Sequence, residues 1–326
     1  MAIGTGADFK VYPNQFYSGY VELLQQETDI WNANSAGVMQ FTAQAMKGDY
    51  EKSSFTQDIS GLVQDRDVTS TATVTDSKLT QSEVISIKVN KRIGPTAETL
   101  DSWKKISLDP MEFSVILGQI AGKRVAVNYV DSSLNSLRAV MKAIGAGIQY
   151  DSTGLTLKTA NHQALVSAMA LLGDKSSRIA AFVMHSATYF ELVKQSIADN
   201  VFQVAGATIY TGQPATFGKP VIVTDSVGLF DPQNGTIAAK YDVLGLVPGA
   251  VEVIESEERS VLSQYVTGLA NLTMRIQGEY AYNLKVKGAS YTGAVQPTDA
   301  ALAVSSNWTF VAADKKNGPG VRATFN

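Results

Sequence analysis

An α+β fold, with one long helix packed on a long sheet, follows from two stretches of the chain. Residues 109–144 carry apolar side chains at helical spacing over 36 positions, a rod of about 54 Å. Residues 272–286 place Leu272, Met274, Ile276, Gly278, Tyr280, Tyr282, Leu284 and Val286 at every second position, a ribbon of about 50 Å with a bulge or bend at Gly278. Two elements of similar length, each apolar on one face, bury those faces against one another, so the expected shape is an elongated slab. At 326 residues, 45% hydrophobic and 17% charged, the chain can bury the core of one large or two moderate domains.

Within the first fifty residues, Phe16, Tyr20 or Val21, Leu24 and Trp31 recur at helical spacing behind Asn14 as a cap, which predicts a short helix in an extended arm. The run Asn32-Ala33-Asn34-Ser35-Ala36-Gly37 offers little to a core, so the arm is expected to pack on something else. From residue 60 the chain becomes rich in threonine and serine. Ile85, Ile87, Val89 and Ile93 then alternate with Ser86, Lys88, Asn90 and Arg92, the pattern of a strand. Residues 68–75 are β-prone and Asp76-Ser77-Lys78 supplies turn chemistry, so the two segments read as a long hairpin. A hairpin with so few large apolar groups is marginal alone in water. It is therefore expected to lie against another surface, of this chain or of a neighbouring one.

Asp109-Pro110-Met111-Glu112 opens the rod, with Asp as N-cap and Pro at the first helical position. Its stripe runs through positions 113, 116, 120, 123, 127, 130, 134, 137, 141 and 144, is broken only at Lys123, and stops near Gly145 or Gly147. A coiled coil would have the same core spacing, but the flanking positions lack regular Glu/Lys pairs. Gly118 and Gly122, four apart on one face, mark either a close backbone approach or a bending point. After Asp151-Ser152-Thr153-Gly154 comes a mixed α/β region. Asn161 caps a helix through Leu165, Met169 and Leu172 that ends at Gly173, and residues 179–184 form a buried strand. A second helix places Phe190, Val193 and Ile197 on one face. Strands follow near Thr208-Ile209-Tyr210, at 220–224 and at 236–247, the last ended by Pro248-Gly249. Beyond Tyr291 the tail turns small and polar, ending Lys315-Lys316-Asn317-Gly318-Pro319-Gly320, and is expected at the surface.

Composition excludes several functions. With 27 basic and 30 acidic residues the formal charge is −3, and no basic block supplies the footprint of a nucleic-acid binder. No apolar run reaches the roughly 20 residues of a membrane-spanning helix, and the N-terminus lacks the pattern of a signal peptide. A start at methionine speaks against propeptide removal. The absence of cysteine removes disulfides, thiolate metal sites and a cysteine nucleophile. Two histidines, His162 and His185, are too few for a multi-histidine centre.

No Walker A loop or G-x-S-x-G elbow occurs, and Gly145-Ala146-Gly147-Ile148-Gln149-Tyr150 ends in Tyr where a dinucleotide loop needs glycine. His185 follows a strand and opens a helix, but it has no evident partner acid and nucleophile, and Ser186 beside it reads as an N-cap. Glu255, Glu257 and Glu258, followed by Arg259, fit a solvated turn or ion pairing across a subunit contact better than a cation site. Asp65 and Asp67 around Arg66 fit the same use, where charges set docking register. No catalytic, cofactor-binding or metal-ligating residue is assigned, and no cofactor is expected.

Several stretches resemble tailed-bacteriophage major capsid proteins. They are Gly48-Asp49-Tyr50-Glu51-Lys52, Ile93-Gly94-Pro95 with Thr99-Leu100-Asp101-Ser102-Trp103, residues 113–119, residues 177–179 through 183–186, residues 218–226 and residues 272–288. As an ensemble they span nearly the whole chain. The resemblance implies the fold shared with encapsulins and the herpesvirus capsid floor. Its parts would be an N-terminal arm (1–52), an extended E-loop hairpin (53–106), a peripheral domain with the spine helix (107–149), an axial α/β domain (150–254), and peripheral return strands with the C-terminal tail (255–326). It also implies hexamers and pentamers of an icosahedral head around double-stranded DNA, joined by E-loop and N-arm contacts. The expected partners are a portal and scaffold or decoration proteins, with DNA held non-specifically and no membrane. Assembly would take place in the host cytoplasm. Some relatives of this kind cross-link a lysine to an asparagine through a catalytic glutamate, and no motif here carries that over. An encapsulin-like shell with a cargo enzyme is the alternative, and an α/β enzyme dependent on His185 is a third.

Overall fold

The computed structural model describes residues 13–44, 48–56, 63–76, 78, 81–99, 110–156, 158–194, 218–233, 238–257, 260–267, 270–271 and 273–326. The first helix, α1 (Pro13–Asn34), is 22 residues long, so it is not a short element in an extended arm. It begins at Pro13, which puts Asn14 inside its first turn and not at a cap. Phe16, Tyr20 and Leu24 are buried, with Val21 and Trp31 half-buried against the same core, as the spacing predicts. Near its end the Asn32 side chain imitates a neighbouring strand: Nδ2 donates to the Phe41 carbonyl and Oδ1 accepts from the Phe41 amide, both at 2.9 Å. This clamp aligns β1 (Met39–Ala43).

The hairpin strand is β3 (Gln81–Thr99), and its partner is β2 (Tyr50–Thr56), in register from Tyr50 opposite Ile87 to Thr56 opposite Gln81. The expected partner, 68–75, forms no strand, and residues 63–76 are exposed throughout. Its threonines and serines have β propensity but no apolar face to bury, whereas 50–56 lies beside an edge of β3 that supplies backbone partners. On β3, Ile87 and Val89 are buried as expected, but so are Ser86 and Lys88 on the opposite face.

A second hairpin, β10 (Ser260–Val266) with β11 (Thr273–Val286), and the strand β9 (Val251–Glu255) join this sheet, which among the described residues has six strands ordered β1-β9-β11-β3-β2, with β10 also on β11. Along β11, Ile276, Tyr280, Tyr282, Leu284 and Val286 are buried on one face, as the alternation predicts. Leu272 lies outside the described residues. The irregularity expected at Gly278 is real but sits on the partner: Ile276 faces Thr96 and Gly278 faces Ile93, so the extra residue belongs to β3.

The rod is α2 (Pro110–Ile144), 35 residues, stopped by Gly145 at φ +83°. Its proposed cap, Asp109, lies outside the described residues. Val130, Leu134, Leu137, Met141 and Ile144 are buried as the stripe predicts. The first half departs from it, because Ile116, Ile120 and Val127 are exposed. There the buried face runs through Gly118, Gly122, Val125 and Tyr129, and α1 lies against it. A Cβ at Gly118 would stand 2.2 Å from the Phe16 carbonyl oxygen, and one at Gly122 would stand 2.9 Å from that of Tyr20. Gly19 on α1 meets the Val115 oxygen in the same way at 2.8 Å. Close backbone approach therefore accounts for these glycines.

The second sheet, also six-stranded among the described residues, contains β4 (Gln149–Asp151), β5 (Ala181–Met184), β6 (Val221–Val223), β7 (Phe230–Asp231), β8 (Lys240–Leu246) and β14 (Gly320–Phe325), ordered β4-β14-β8-β5-β6 with β7 on β8. Helix α3 (His162–Ala170) is capped by Asn161, whose side chain accepts from the Ala164 amide at 2.8 Å. Helix α4 covers described residues 186–194. It buries Thr188 and Leu192 while Phe190 is exposed, so its inner face is rotated from the one expected, and Ile197 and Thr208-Ile209-Tyr210 lie outside the described residues. The strand expected at 236–247 is the shorter β8.

Residues 292–317 are mostly exposed or half-buried, as expected of the tail, and the departure comes at its end. After β12 (Ala289–Tyr291), α5 (Asp299–Leu302) and β13 (Trp308–Phe310), the chain enters the second sheet as β14, every residue of it buried. Gly320 sits at φ +147° with Gly245 O 1.9 Å from where its Cβ would be, so only glycine allows β14 to meet β8 there. Arg322 and Thr324 make the segment look like surface, but both are paired inside.

Candidate assembly interface

Two polar clusters fix α2 between the sheets. In the first, Arg138 and Arg322 flank the fully buried Asp242. Arg138 bonds Asp242 and Asp231, Arg322 Nη2 donates to Asp242 Oδ2 at 3.1 Å, and Thr324 Oγ1 donates to Asp242 Oδ1 at 2.7 Å. Helix, β8 and the C-terminal strand are thus tied through one carboxylate. Burial alone would raise the Asp231 carboxyl, but the hydrogen bonds and charge of Arg138, with Lys142 and Arg322 behind it, bring it below its ordinary range.

In the second cluster, Asp299 receives Lys91 Nζ at 2.6 Å and Ser132 Oγ at 2.9 Å, and the Tyr282 hydroxyl donates to Ser132 Oγ at 2.7 Å. Burial pushes the Tyr280 and Tyr282 hydroxyls well above their ordinary pKa, so both stay neutral donors.

Away from these clusters the subunit leaves apolar groups uncovered. Residues 63–76 carry Val63, Val68 and Val74 at 93%, 80% and 81% exposure. There the Thr69 amide and hydroxyl donate to Asp67 Oδ1 at 2.9 and 2.7 Å and hold that carboxyl below its usual value. Ile116, Ile120 and Val127 form a second open apolar set. Leu262 on β10 is a third, 77% exposed.

The residues singled out for chemistry do not converge. His185, not Ser186, caps α4: its Nδ1 accepts from the Ala187 amide at 3.2 Å, and its ring lies against Phe230 and Tyr241. Asp225 approaches its Nε2 at 3.7 Å. His162 is the first residue of α3. Glu255 ends β9, and Glu257 forms an ion pair with Lys88 inside its own chain. Glu258 and Arg259 lie outside the described residues. Among the described residues no group of three or more His, Asp or Glu could hold a metal ion, and no helix is long and apolar enough to cross a membrane.

The Arg138–Asp242–Arg322 cluster was not anticipated. The arginine flanked by Leu137 and by Ala139, Val140 and Met141 is the signal that could have found it, because a charge buried there is tolerated only with a partner.

A long helix is held between two sheets, with an uncovered loop on a long hairpin. The chain is similar to the Cyanophage Pam1 capsid asymmetric unit (12% identity, 88% of each chain, TM-score 0.54). It is also similar to a structure from Microbacterium phage Oxtober96 (12% identity, 90% of each chain, TM-score 0.55) and to the capsid of Ralstonia phage GP4 (10% identity, 89% of this chain and 87% of that one, TM-score 0.52). At these identities the likeness is one of fold. The model of the major capsid protein 13-like family matches residues 8–322, and the chain belongs to that family. A search of curated protein sequences gave no match. The protein is a structural capsid protein of a bacteriophage: it associates with copies of itself in the capsid lattice and resides in the virion. An encapsulin-like compartment is not favoured.

Proposed function

We propose that the chain closes into an icosahedral head of hexamers and pentamers around double-stranded DNA, with no enzymatic activity of its own. The observation that carries this reading is the loop 63–76, which has three exposed valines and no cover from its own subunit. Three isolated valines on an otherwise polar loop, at the end of a two-stranded ribbon, are covered only by a second surface, which in a lattice is the neighbouring subunit. The formal charge of −3 suits a wall that must release its DNA, since binding to phosphate scales with the cations a protein presents.

In this reading the first sheet with α1 and the start of α2 serves as arm and peripheral domain, and the second sheet serves as the axial domain. The domain boundaries remain near residues 52, 106, 149 and 254, with β14 returning to the axial sheet. Contacts with a portal and with scaffold or decoration proteins, and assembly in the host cytoplasm, belong to the same proposal.

The test is deletion of residues 63–76 behind a short glycine linker. The cut must stop before Gln81, because Val84 and Ile87 are buried. The expected result is an unchanged melting temperature together with loss of closed shells in electron micrographs. A variant that unfolds would place the loop in its own core, and one that closes shells at wild-type numbers would remove it as a clamp.

A further inference from the structure

A strand at a sheet edge offers a row of unpaired amides and carbonyls, which proteins blunt with charge, proline, short length or a covering group. Most edges of this subunit are blunted in one of these ways. On the first sheet, β2 carries Glu51 and Lys52, and the stretch of β3 beyond its pairing with β2 carries Lys88, Lys91, Arg92 and Pro95. The outer edge of β1 is plugged by the Asn32 side chain, which bonds both the amide and the carbonyl of Phe41. On the second sheet β4, β6 and β7 have three residues or fewer.

Strand β10 has none of these devices. Its seven residues, Ser-Val-Leu-Ser-Gln-Tyr-Val, hold no charge and no proline. One side of it pairs with β11 through all seven residues without a bulge. Among the described residues nothing pairs with the other side. Leu262 near its middle is 77% exposed, with Ser260 and Gln264 exposed on the same face. An uncharged edge of β-prone residues is a template for a further strand.

The absence of charge also selects the occupant. A strand without charge meets its own copy with no like charges opposed, and it offers nothing to hold a charged partner. Rings of five or six subunits close through unlike surfaces meeting head to tail, whereas neighbouring rings meet across two-fold axes, where one surface must fit itself. Resting on the assembly reading above, we propose that β10 pairs antiparallel with β10 of a second copy across such an axis, joining two first sheets into one between neighbouring rings.

With all seven residues in register, the axis passes at Ser263, which comes opposite Ser263 of the partner subunit. Leu262 then lies diagonal to the partner's Leu262, about 7 Å away, and the two cover one another. The ladder adds about six to eight backbone hydrogen bonds. Because no charges take part, this contact is insensitive to moderate salt.

The natural absence of cysteine allows a direct test. Ser263→Cys subunits are assembled and oxidised with diamide. Directly opposed residues of an antiparallel pair have Cα atoms about 4.5–5.5 Å apart, within disulfide reach. The expected product is a disulfide-linked dimer from this one variant, found in closed shells. Ser260→Cys, which in this register lies about 20 Å from its copy, is expected to stay unlinked. Closed shells in which Ser263→Cys stays unlinked, or in which Ser260→Cys links to its copy, overturn the pairing.

Leu262→Lys provides the second arm, since it sets like charges beside one another across the axis. It is expected to lower the count of closed shells by about tenfold or more while free rings accumulate and the melting temperature stays unchanged. Closed shells at wild-type numbers also overturn the pairing. If the wild-type chain forms no shells, the assembly reading itself fails. If the wild type closes, the loop deletion does not, and both arms are negative, only the two-fold contact is lost.

Discussion

The two halves of α2 carry the same sequence pattern and meet opposite fates. From Val130 to Ile144 the helix is enclosed on nearly all sides: Leu134, Leu137, Ala139, Val140 and Met141 have no exposed surface, and Ser132, Ser133 and Ser136 are as deeply buried. Ser133 and Ser136 are satisfied within the helix, by donating to carbonyls one turn back at 2.7 and 2.8 Å, and Ser132 by donating to Asp299. From Ile116 to Val127 the predicted apolar line faces out, and the glycine face is buried against α1. A stripe at helical spacing thus reports that a face will be covered, but not whether the cover belongs to the same chain. The enclosed half is built to hold the subunit together, and the open half leaves an apolar surface that a neighbour can use.

The strongest way to break this comparison is a charge placed on each half. Leu134→Asp buries an unpaired carboxylate and is expected to cost about 4 kcal/mol or more, enough to remove soluble subunit. Ile120→Asp should shift subunit stability by no more than about 0.5 kcal/mol. Melting temperatures of the two variants check this, and equal destabilisation would mean that both halves are core.

Gly118→Ala sharpens the account of the buried glycine face. The new methyl meets the Phe16 carbonyl oxygen, which is backbone and cannot rotate away, so a loss of about 1–3 kcal/mol is expected, with faster hydrogen exchange along α1. Exchange and melting like wild type would instead favour a bending role for the glycine pair.

The smallest effect concerns acid. Because the Asp231 carboxyl is depressed in the fold, its contribution is complete above the unfolded value of about 4 and is lost as pH falls through the lower folded value. Asp231 is half exposed, so its share is modest. Asp231→Asn should lower stability at neutral pH and flatten the loss on acidification below pH ~4. Identical melting curves against pH for the two proteins would show that the pair with Arg138 does not hold the enclosed half.

Local chemistry alone determined a good part of this protein. The span of α2 and its stop at Gly145, the Asn161 cap, the buried face of α1 and the alternation of β11 all follow from spacing and backbone preference, which act over a few residues. Quoted stretches along the chain also carried the capsid resemblance, which the family match bears out. The assignments that failed depend on contacts distant in sequence. Residues 68–75 have strand propensity but no partner, 50–56 becomes a strand because β3 offers it an edge, and 320–325 is drawn inside because Asp242 neutralises Arg322 across the sheet. Propensity and periodicity specify a face and a conformation. Which surface covers that face, and whether a buried charge finds its partner, is decided only when segments far apart in the chain are brought together.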